Sequence, residues 1–321
     1  MKNVIVIVGP TASGKTKMSI ELAKLINGEI ISADSMQIYK YLNIATAKPT
    51  KKEMDGIKHY LIDEILPNIK FSVAKYQELA LKYIGKVINK GKIPIVVGGT
   101  GLYIDSLIYN INFSKTQTNW EYRNELNELA NKYGNLYLYN KLKKIDIKAA
   151  EKIHENDTKR IIRALEVYEF TNKKISDIQK ESKLIPPKYD YTVFGLSLDR
   201  TILYDRINLR VDNMLDQGLI AEAKTLLELG YDSETTAMKA LGYKDIIKYL
   251  NNELTFEESI NLIKRDSRRY AKRQMTWFNR LKEINWLEFG DDISEEKYRE
   301  NLNIILKHLG FSCRIDVCKT S

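Results

Sequence analysis

The sequence predicts an α/β protein with a parallel sheet, helices on both of its faces and a helical insertion domain. Over residues 1 to about 110, short apolar runs alternate with helical stretches, which is typical of a parallel sheet covered by helices. Residues from about 112 to 190 show helical patterns only, before an alternating apolar segment returns the chain to the sheet. We therefore predict a core of residues 1–111 and 191–321 and an insertion domain of residues 112–190.

The individual elements follow from the same periodicities. The predicted strands are Val4–Val8, Glu29–Ser32, Ile93–Gly98 and Tyr191–Leu198. The predicted helices of the first 190 residues include Val73–Lys90, Trp120–Tyr133, Asn135–Lys143, Lys148–Ile153, Thr158–Thr171 and Ile175–Lys180. Beyond Arg200 we expect helices throughout, among them Tyr204–Leu229 and Phe256–Leu281.

Composition narrows the class of protein. The chain has 321 residues, of which 44% are hydrophobic and 29% charged, so it has material for a sizeable core. No segment approaches the roughly 20 apolar residues of a membrane span, and no leader is visible, so we expect a cytoplasmic protein without a membrane partner. The two cysteines, Cys313 and Cys318, and three scattered histidines predict neither a disulfide nor a zinc site.

The net charge of +9 indicates a polyanionic partner, although a Lys-rich composition explains it equally well. The distribution of the charge is more informative. Four cations share one face of the last long predicted helix, namely Arg265, Arg268, Arg269 and Lys272, while Ile263, Tyr270 and Trp277 form a stripe on another face. A solvated surface is the alternative, but few acidic residues interleave, so a face lying along a phosphate backbone is favoured.

The most informative segment is a Gly-rich loop between the first strand and a helical stretch. Its residues are Gly9, Pro10, Thr11, Ala12, Ser13, Gly14, Lys15 and Thr16. In this context they form a P-loop, whose backbone N–H groups bind a polyphosphate. Lys15 would add positive charge at the terminal phosphates, and Thr16 would offer its hydroxyl to Mg2+. The predicted core is thus P-loop NTPase-like, although an ordinary Gly-rich turn remains the alternative and the motif does not say which polyphosphate binds.

Polar clusters follow three of the predicted strands. They are Gly9–Thr16, the segment 34–37 (Asp-Ser-Met-Gln) and the segment 98–101 (Gly-Gly-Thr-Gly). Because ligands bind beyond the carboxyl ends of the strands in such sheets, we expect all three clusters to meet in one crevice.

With these blocks in view, the chain resembles the tRNA dimethylallyltransferases, also called tRNA isopentenyltransferases. The matching blocks, which run in the family's order over roughly residues 1 to 290, are 9–16, 32–39, 46–49, 59–63, 98–103, 154–157 with 160–168, 239–244, and 272–274 with 276–278. The P-loop is shared with many enzymes, whereas the blocks at 34–37 and 98–103 together are specific to this family. The chain departs from the family's usual residues at Ala45, Tyr60, Asn172 and Met238.

The resemblance implies transfer of a dimethylallyl group from dimethylallyl diphosphate to N6 of adenosine 37, beside the tRNA anticodon, with release of diphosphate. The P-loop and Mg2+ would stabilise charge on the leaving diphosphate, so an "ATP-binding" description would fit the shape of the loop but not its ligand. Arg210 is a further candidate for a diphosphate contact, with an ion pair to Asp212 or a neighbouring helix as the alternative.

The resemblance also implies catalytic roles for two residues. Asp34 would act as the general base for the amine, its alternatives being a helix N-cap or a group around Mg2+. Thr100 would hydrogen-bond the bridging oxygen or the reacting amine, unless it is simply a turn residue.

Contacts with the tRNA anticodon arm are implied for residues of both domains. They are Asp34, Ser35, Met36, Gln37, Thr100, Arg123, Lys159, Arg160, Ile161, Ile162, Arg163, Lys239, Ala240, Leu241, Gly242, Tyr243 and Lys244. The family also leads us to expect a monomer. Two other functions stay open: a P-loop kinase of a nucleotide or small molecule, and a non-catalytic RNA-binding module with a nucleotide switch.

Overall fold

The computed structural model describes residues 3–111, 113, 119–182, 184–233 and 235–311. Cys313 and Cys318, with the predictions made for them, lie outside these residues. The chain divides into two compact units, one of Met1–Ile104 with Tyr189–Ser321 and one of Asp105–Lys188. The second unit begins at Asp105, where the sequence predicted a boundary at residue 112.

One sheet of six parallel strands forms the core of the first unit, in the order β3-β2-β4-β1-β5-β6. The strands are β1 (Asn3–Val8), β2 (Gly28–Ser32), β3 (His59–Tyr60), β4 (Ile93–Gly98), β5 (Asp190–Leu198) and β6 (Ile284–Gly290). The four predicted strands are confirmed as β1, β2, β4 and β5.

Strand β6 corrects the expectation that the chain beyond Arg200 is wholly helical. Leu287 and Phe289 are buried while Glu288 between them is exposed, which is the alternation of a half-buried strand. The strand pairs with β5 at the edge of the sheet.

The helices carry most of the described residues outside the sheet. They are α1 (Lys15–Leu25), α2 (Lys51–Met54), α3 (Val73–Asn89), α4 (Gly101–Ile108), α5 (Trp120–Tyr133), α6 (Asn135–Ile145), α7 (Ile147–Ala150), α8 (Thr158–Thr171), α9 (Ile175–Ser182), α10 (Arg200–Asp216), α11 (Leu219–Glu228), α12 (Tyr243–Leu250), α13 (Phe256–Phe278) and α14 (Glu295–His308). In the described parts of the chain, no helix is both long and apolar enough to cross a membrane.

The segment predicted as one helix, Tyr204–Leu229, is two helices. Gly218 between them has a φ of +94°, a conformation that glycine adopts without steric cost and that ends the first helix. This break separates α10, which reaches the P-loop, from α11.

Helices cover both faces of the sheet, as predicted. Ile5 and Ile7 pack with residues of α1 and α14 in one buried cluster. Val4 points to the opposite face because side chains alternate along a strand. Its register partner Tyr191 interacts with Tyr76 of α3, which places α3 on that second face.

The second unit has its own apolar core. Leu126 of α5, Leu138 and Leu142 of α6 and Leu165 of α8 pack together, each at most 1% exposed. The predicted helices of this unit are present, although the predicted Lys148–Ile153 is the shorter α7.

Candidate active site

The three polar clusters predicted at the strand ends do line one cavity. Its volume is about 390 Å³, and its walls include Lys15 and Thr16 of the P-loop, Asp34 after β2, and Gly98 and Gly99 after β4. These residues come from neighbouring strands β1, β2 and β4, whose carboxyl ends share one edge of the sheet. The sheet order therefore explains why residues distant in sequence meet here.

Hydrogen bonds with α10 and α13 hold the P-loop in place. Arg206 of α10 donates from Nε to the carbonyl of Ala12 at 2.8 Å. Thr11 donates its backbone N–H to Gln274 of α13 at 2.9 Å. Ser13, which is 4% exposed, has a hydroxyl without a hydrogen-bond partner among the described residues.

Lys15 is the cation of the loop, and its environment changes its acidity. Its Nζ donates to the carbonyl of Pro10 at 2.5 Å. Burial, with the Arg210 guanidinium nearby, lowers the pKa of Lys15 to about 7, although the Asp34 carboxylate opposes the shift. Removal of a cation from water favours the neutral amine, so this lysine is poised to take up a proton when an anion arrives.

Arg210 of α10 lies at the same place. It lines the cavity together with Lys15 and Asp34, and its closest hydrogen bond is a long one, 3.5 Å, to the carbonyl of Thr46. Burial lowers the pKa of Arg210 and Asp34 opposes this. The alternative ion pair with Asp212 is not formed, because that carboxylate pairs with Lys264 at 2.6 Å.

Asp34 has one oxygen engaged and one without a partner. Oδ1 accepts from the backbone N–H groups of Met36 at 2.8 Å and Gln37 at 3.2 Å, which is the turn-capping role named as an alternative. Oδ2 has no hydrogen-bond partner among the described residues. One carboxylate can thus fix the turn through Oδ1 and accept a proton at Oδ2, so the structural and catalytic roles are compatible.

Thr100 acts on the turn that carries Asp34. Its hydroxyl accepts from the Ser35 N–H at 3.1 Å, and its own N–H donates to the carbonyl of Ala33 at 3.2 Å. Tyr270 of α13 lies beside this hydroxyl, since the neighbouring Thr100 and Gln274 side chains both act to lower the pKa of Tyr270. Thr100 thus has the turn role that was the alternative, directly beside the candidate base, and its hydrogen bond to the bridging oxygen or the amine stays a prediction.

Tyr270 and Gln274 are site residues that the sequence reasoning missed. They lie one helical turn apart on α13 and both line the cavity. Burial and the Asp34 charge raise the pKa of Tyr270 to about 12, so its hydroxyl keeps its proton. Gln274 lies in one of the blocks matched to the family, and a polar residue within the buried stripe of a helix is the signal that marks it.

Four residues of the predicted segment 239–244 line the cavity: Lys239, Ala240, Leu241 and Gly242. The other two hold the segment in place. The Tyr243 hydroxyl donates to Glu222 of α11, and Lys244 pairs with Asp266 of α13 at 2.9 Å. The same Glu222 carboxylate accepts backbone N–H groups at the turn 43–44, so it ties two walls of the cavity together.

In the second unit, the residues predicted to contact tRNA differ in exposure. Lys159 and Arg160 are exposed at the beginning of α8. Ile161 and Ile162 are 0% and 4% exposed in the apolar core of the unit, so their side chains cannot touch RNA in this structure. This burial narrows the predicted contact segment to its first two side chains and Arg163.

Arg123 and Arg163 converge on one buried carboxylate. Arg123 donates from Nε and Nη2 to Glu166 at 2.8 and 2.7 Å, and Arg163 donates to the same group at 2.5 Å. Burial alone would raise the pKa of Glu166, but these hydrogen bonds and that from the Asn119 N–H hold the pKa below its ordinary value. Their guanidinium groups therefore stabilise the unit, and the two side chains are only 25% and 33% exposed to another partner.

The basic face of α13 is partly neutralised. Arg265, Arg269 and Lys272 are exposed, as predicted, but Arg265 and Arg269 lie beside Asp266, at 3.0 and 3.7 Å. Arg268 instead donates to Asn208 of α10 at 2.5 Å and belongs to the helix packing. The face that remains for phosphates is thus narrower than the sequence pattern indicated.

The described residues contain no cluster of side chains that could form a metal site without a bound substrate. Among the described residues, no group of three or more His, Cys, Asp or Glu side chains could hold a metal ion. The three histidines lie apart in the chain: His59 is in β3, His154 is in the loop before α8, and His308 is in α14 against Phe194.

A parallel α/β sheet, a P-loop after its central strand and a carboxylate in the same cavity define a P-loop enzyme. The comparisons with known proteins give its family. A family profile described as IPP transferase matches residues 37–281. A curated tRNA dimethylallyltransferase of Acetivibrio thermocellus is 57% identical over 310 residues, which cover 97% of this chain and 99% of that protein.

Solved structures agree. The tRNA isopentenylpyrophosphate transferase of Bacillus halodurans is 44% identical with a TM-score of 0.72, over 97% of both chains. A eukaryotic dimethylallyltransferase acting on tRNA is 31% identical with a TM-score of 0.83, over 96% of this chain and 79% of the other. The chain belongs to the IPP transferase family, which confirms the resemblance; a P-loop kinase is not favoured.

Proposed function

We propose that this enzyme transfers a dimethylallyl group from dimethylallyl diphosphate to N6 of adenosine 37 in tRNA and releases diphosphate. One observation carries the proposal: a phosphate-binding loop and a carboxylate with an unpartnered oxygen line the same cavity of about 390 Å³. A kinase can also place a carboxylate beside its phosphates, so the preference for alkylation of an amine rests on this geometry together with the IPP transferase profile that matches residues 37–281.

The leaving group is held by the P-loop side of the cavity. As the allylic C–O bond breaks, its electron pair passes to the diphosphate, where negative charge accumulates. Lys15 and Arg210 are the cations placed to stabilise that charge, and the loop amides add oriented dipoles. Loss of one such donor typically raises the barrier by about 3–4 kcal/mol.

Asp34 is the proposed base for the nucleophile, which is the exocyclic N6 amine of adenosine 37. As the N6–carbon bond forms, the exocyclic amine becomes positively charged and more acidic, and Oδ2 accepts its proton. Oδ1 keeps its two backbone hydrogen bonds meanwhile, so the base does not swing away. Thr100 supports this step because it fixes both backbone neighbours of Asp34.

Mg2+ is the proposed cofactor, and the donor set fits it. Mg2+ in phosphate sites is typically held by few protein groups, substrate phosphates and waters. Thr16 supplies a hydroxyl in this cavity, which suits a hard cation shared with a diphosphate, and Asp34 keeps Oδ2 for the proton of the amine. When bound, the ion would neutralise charge on the diphosphate oxygens.

The RNA must present an unstacked base, because a stacked adenine cannot enter a cavity at the edge of a sheet. We propose that the turn 34–37 and the segment 239–242 surround the base, since both line the cavity. The exposed cations Lys159 and Arg160 of the second unit would hold phosphates of the anticodon arm. A monomeric state and a cytoplasmic location are part of the same proposal.

The test is a reaction with dimethylallyl diphosphate, Mg2+ and an unmodified tRNA transcript carrying adenosines 36 and 37. Nuclease digestion and mass spectrometry should detect one N6-dimethylallyl adenosine per tRNA, with equal release of diphosphate. A matched transcript with guanosine 37 should stay unmodified. Absence of product, together with ATP-dependent phosphorylation of a small metabolite, would overturn the proposal in favour of the kinase.

A further inference from the structure

A single amide of α13 bridges the two loops that the proposed reaction needs. Gln274 accepts the Thr11 N–H at its Oε1 and donates from Nε2 to the carbonyl of Gly99, both at 2.9 Å. Thr11 belongs to the P-loop, and Gly99 directly precedes Thr100. The side chain is only 6% exposed, so water does not compete strongly for these bonds.

The orientation of this amide is fixed by its partners. A backbone N–H can only donate and a carbonyl can only accept, so a flipped amide would lose both hydrogen bonds. The loop is also shaped to admit the side chain, because a Cβ on Gly99 would lie 2.1 Å from Nε2 of Gln274. Glycine at this position allows the close approach.

The same helix face contacts the neighbouring residues of the loop after β4. Tyr270, one turn before Gln274, lines the same cavity and lies beside Thr100. Trp277, about one turn after it, lies so close to Gly101 that a Cβ there would be 2.4 Å from the indole. The loop therefore rests on α13 along its length, and Gln274 also reaches the P-loop through Thr11.

We infer that Gln274 is a positioning residue that fixes the phosphate-binding loop relative to the turn that carries the base. It acts through Thr11 on one side and through Gly99 and Thr100 on the other. The inference rests on the proposed function, because it assigns the two loops to the two halves of one reaction. A shift of about 1 Å between such halves can cost roughly 100-fold in rate while each substrate still binds.

The first test uses Gln274→Glu, which keeps the shape of the side chain. When ionised, the new carboxylate accepts from Thr11 but repels the Gly99 carbonyl; when protonated, it can make both hydrogen bonds. Burial raises the pKa of such a group. We expect kcat relative to the native enzyme to be about 10–100-fold lower at pH 8 and to recover toward pH 6, with a near-native KM for dimethylallyl diphosphate.

The second variant is Gln274→Met, which is isosteric but makes neither hydrogen bond. It should lose kcat to a similar extent at every pH, with near-native affinity for tRNA. Thr276→Ala is the matched control, because Thr276 is exposed on the same helix and its hydroxyl bonds only the Lys272 carbonyl of that helix. Thermal unfolding of each variant establishes that the fold is retained. If Gln274→Met does not fold, the recovery of kcat in Gln274→Glu toward pH 6 tests the inference alone.

Native kcat in both variants, or a Gln274→Glu loss that does not change with pH, would overturn the inference. An equal rise of KM for both substrates with unchanged kcat would also overturn it, since that would be a binding role. The proposed function is judged separately by the native enzyme: if native protein forms no alkylated tRNA, the function itself fails, whatever the variants do.

Discussion

Thr100 holds Asp34 from both sides. Its N–H donates to the carbonyl of Ala33 at 3.2 Å, and its hydroxyl accepts from the N–H of Ser35 at 3.1 Å. Asp34 lies between these two residues in the chain, so one residue of the loop after β4 fixes the backbone on either side of the candidate base. The position of the carboxylate therefore depends on two loops rather than on its own strand alone.

Substitution of Gly98 tests how closely these loops must approach. A Cβ on this residue would lie 2.2 Å from the Ala33 carbonyl oxygen, which is backbone and cannot move without displacing Asp34. Gly98→Ala should lower the free energy of unfolding by about 1–3 kcal/mol, as overpacking does, and should reduce kcat further than stability explains. Denaturant titration and steady-state kinetics measure the two effects.

Gly85→Ala is the control for this change. Gly85 lies inside α3, where an added Cβ meets only the Tyr189 hydroxyl at an ordinary 3.4 Å. Alanine is the better helix former by roughly 1 kcal/mol, so this variant should be at least as stable as the native enzyme. If Gly98→Ala behaved like the control, the close approach of the two loops would be unimportant.

The low pKa of Lys15 predicts how diphosphate binding varies with pH. Its pKa is about 7 in the free enzyme, so above pH 7 the amine is increasingly neutral. A bound diphosphate favours the charged form and raises this pKa, so binding takes up a proton. Consequently kcat/KM for dimethylallyl diphosphate should fall by up to about tenfold per pH unit above 7.

Lys15→Arg provides the comparison, because an arginine stays protonated over this range. Whatever activity it retains should show no fall between pH 7 and 9. A native profile that is flat over the same range would show that Lys15 is already charged in the free enzyme.

The buried carboxylate of the second unit should dominate its stability. Glu166 is 0% exposed and accepts hydrogen bonds from Arg123 and Arg163. Glu166→Gln leaves two partly buried cations without their counter-charge and should cost about 3 kcal/mol. Hydrogen exchange of α5 and α8 amides in the full chain measures the opening free energy.

Because the pKa of Glu166 is lowered in the folded protein, its stabilisation is complete above the ordinary carboxyl pKa and is lost as the pH falls through the lowered value. Glu128→Gln, at an exposed position of α5, should leave exchange unchanged. Equal exchange in the two variants would mean that the arginines find other partners.

The basic face of α13 gives a prediction about RNA affinity. Arg269 is 61% exposed and only weakly paired with Asp266, at 3.7 Å. If it contacts a phosphate, Arg269→Ala should reduce the slope of log affinity against log salt concentration by about one. Lys307→Ala, an exposed cation on α14, should leave the slope as it is. Titrations of tRNA by fluorescence anisotropy at several salt concentrations provide both slopes, and an unchanged slope for Arg269→Ala would place that residue on a solvated face.

Much of the sheet and half of the site could be predicted from the sequence because they depend on local patterns. Strand ends are marked by a change from apolar to polar residues, and parallel strands bring those ends to one edge. The P-loop, Asp34 and the loop at 98–101 were found this way. Strand β6 was missed because its seven residues follow a long helical region and alternate only weakly.

The rest of the site depends on packing between distant segments. Gln274 is far along the chain from Thr11 and Gly99, and no local pattern reveals that α13 lies across both loops. The spacing of Tyr270 predicts a place on an apolar stripe of α13; the stripe is present, and its face also covers the cavity. For Ile162 the resemblance implies an RNA contact, whereas its place on the buried face of α8 indicates a role in the core.

The most direct measurement is the single-turnover rate of Asp34→Asn with saturating dimethylallyl diphosphate and tRNA, beside its affinity for tRNA. Asparagine keeps an oxygen for the N–H groups of Met36 and Gln37, so the turn should persist, but it cannot accept the proton. We predict a rate about 100–10,000-fold lower, with tRNA affinity near that of the native enzyme and of Asp205→Asn, an exposed control on α10. A rate close to native, or a loss of affinity as large as the loss of rate, would contradict the role of Asp34 as the base.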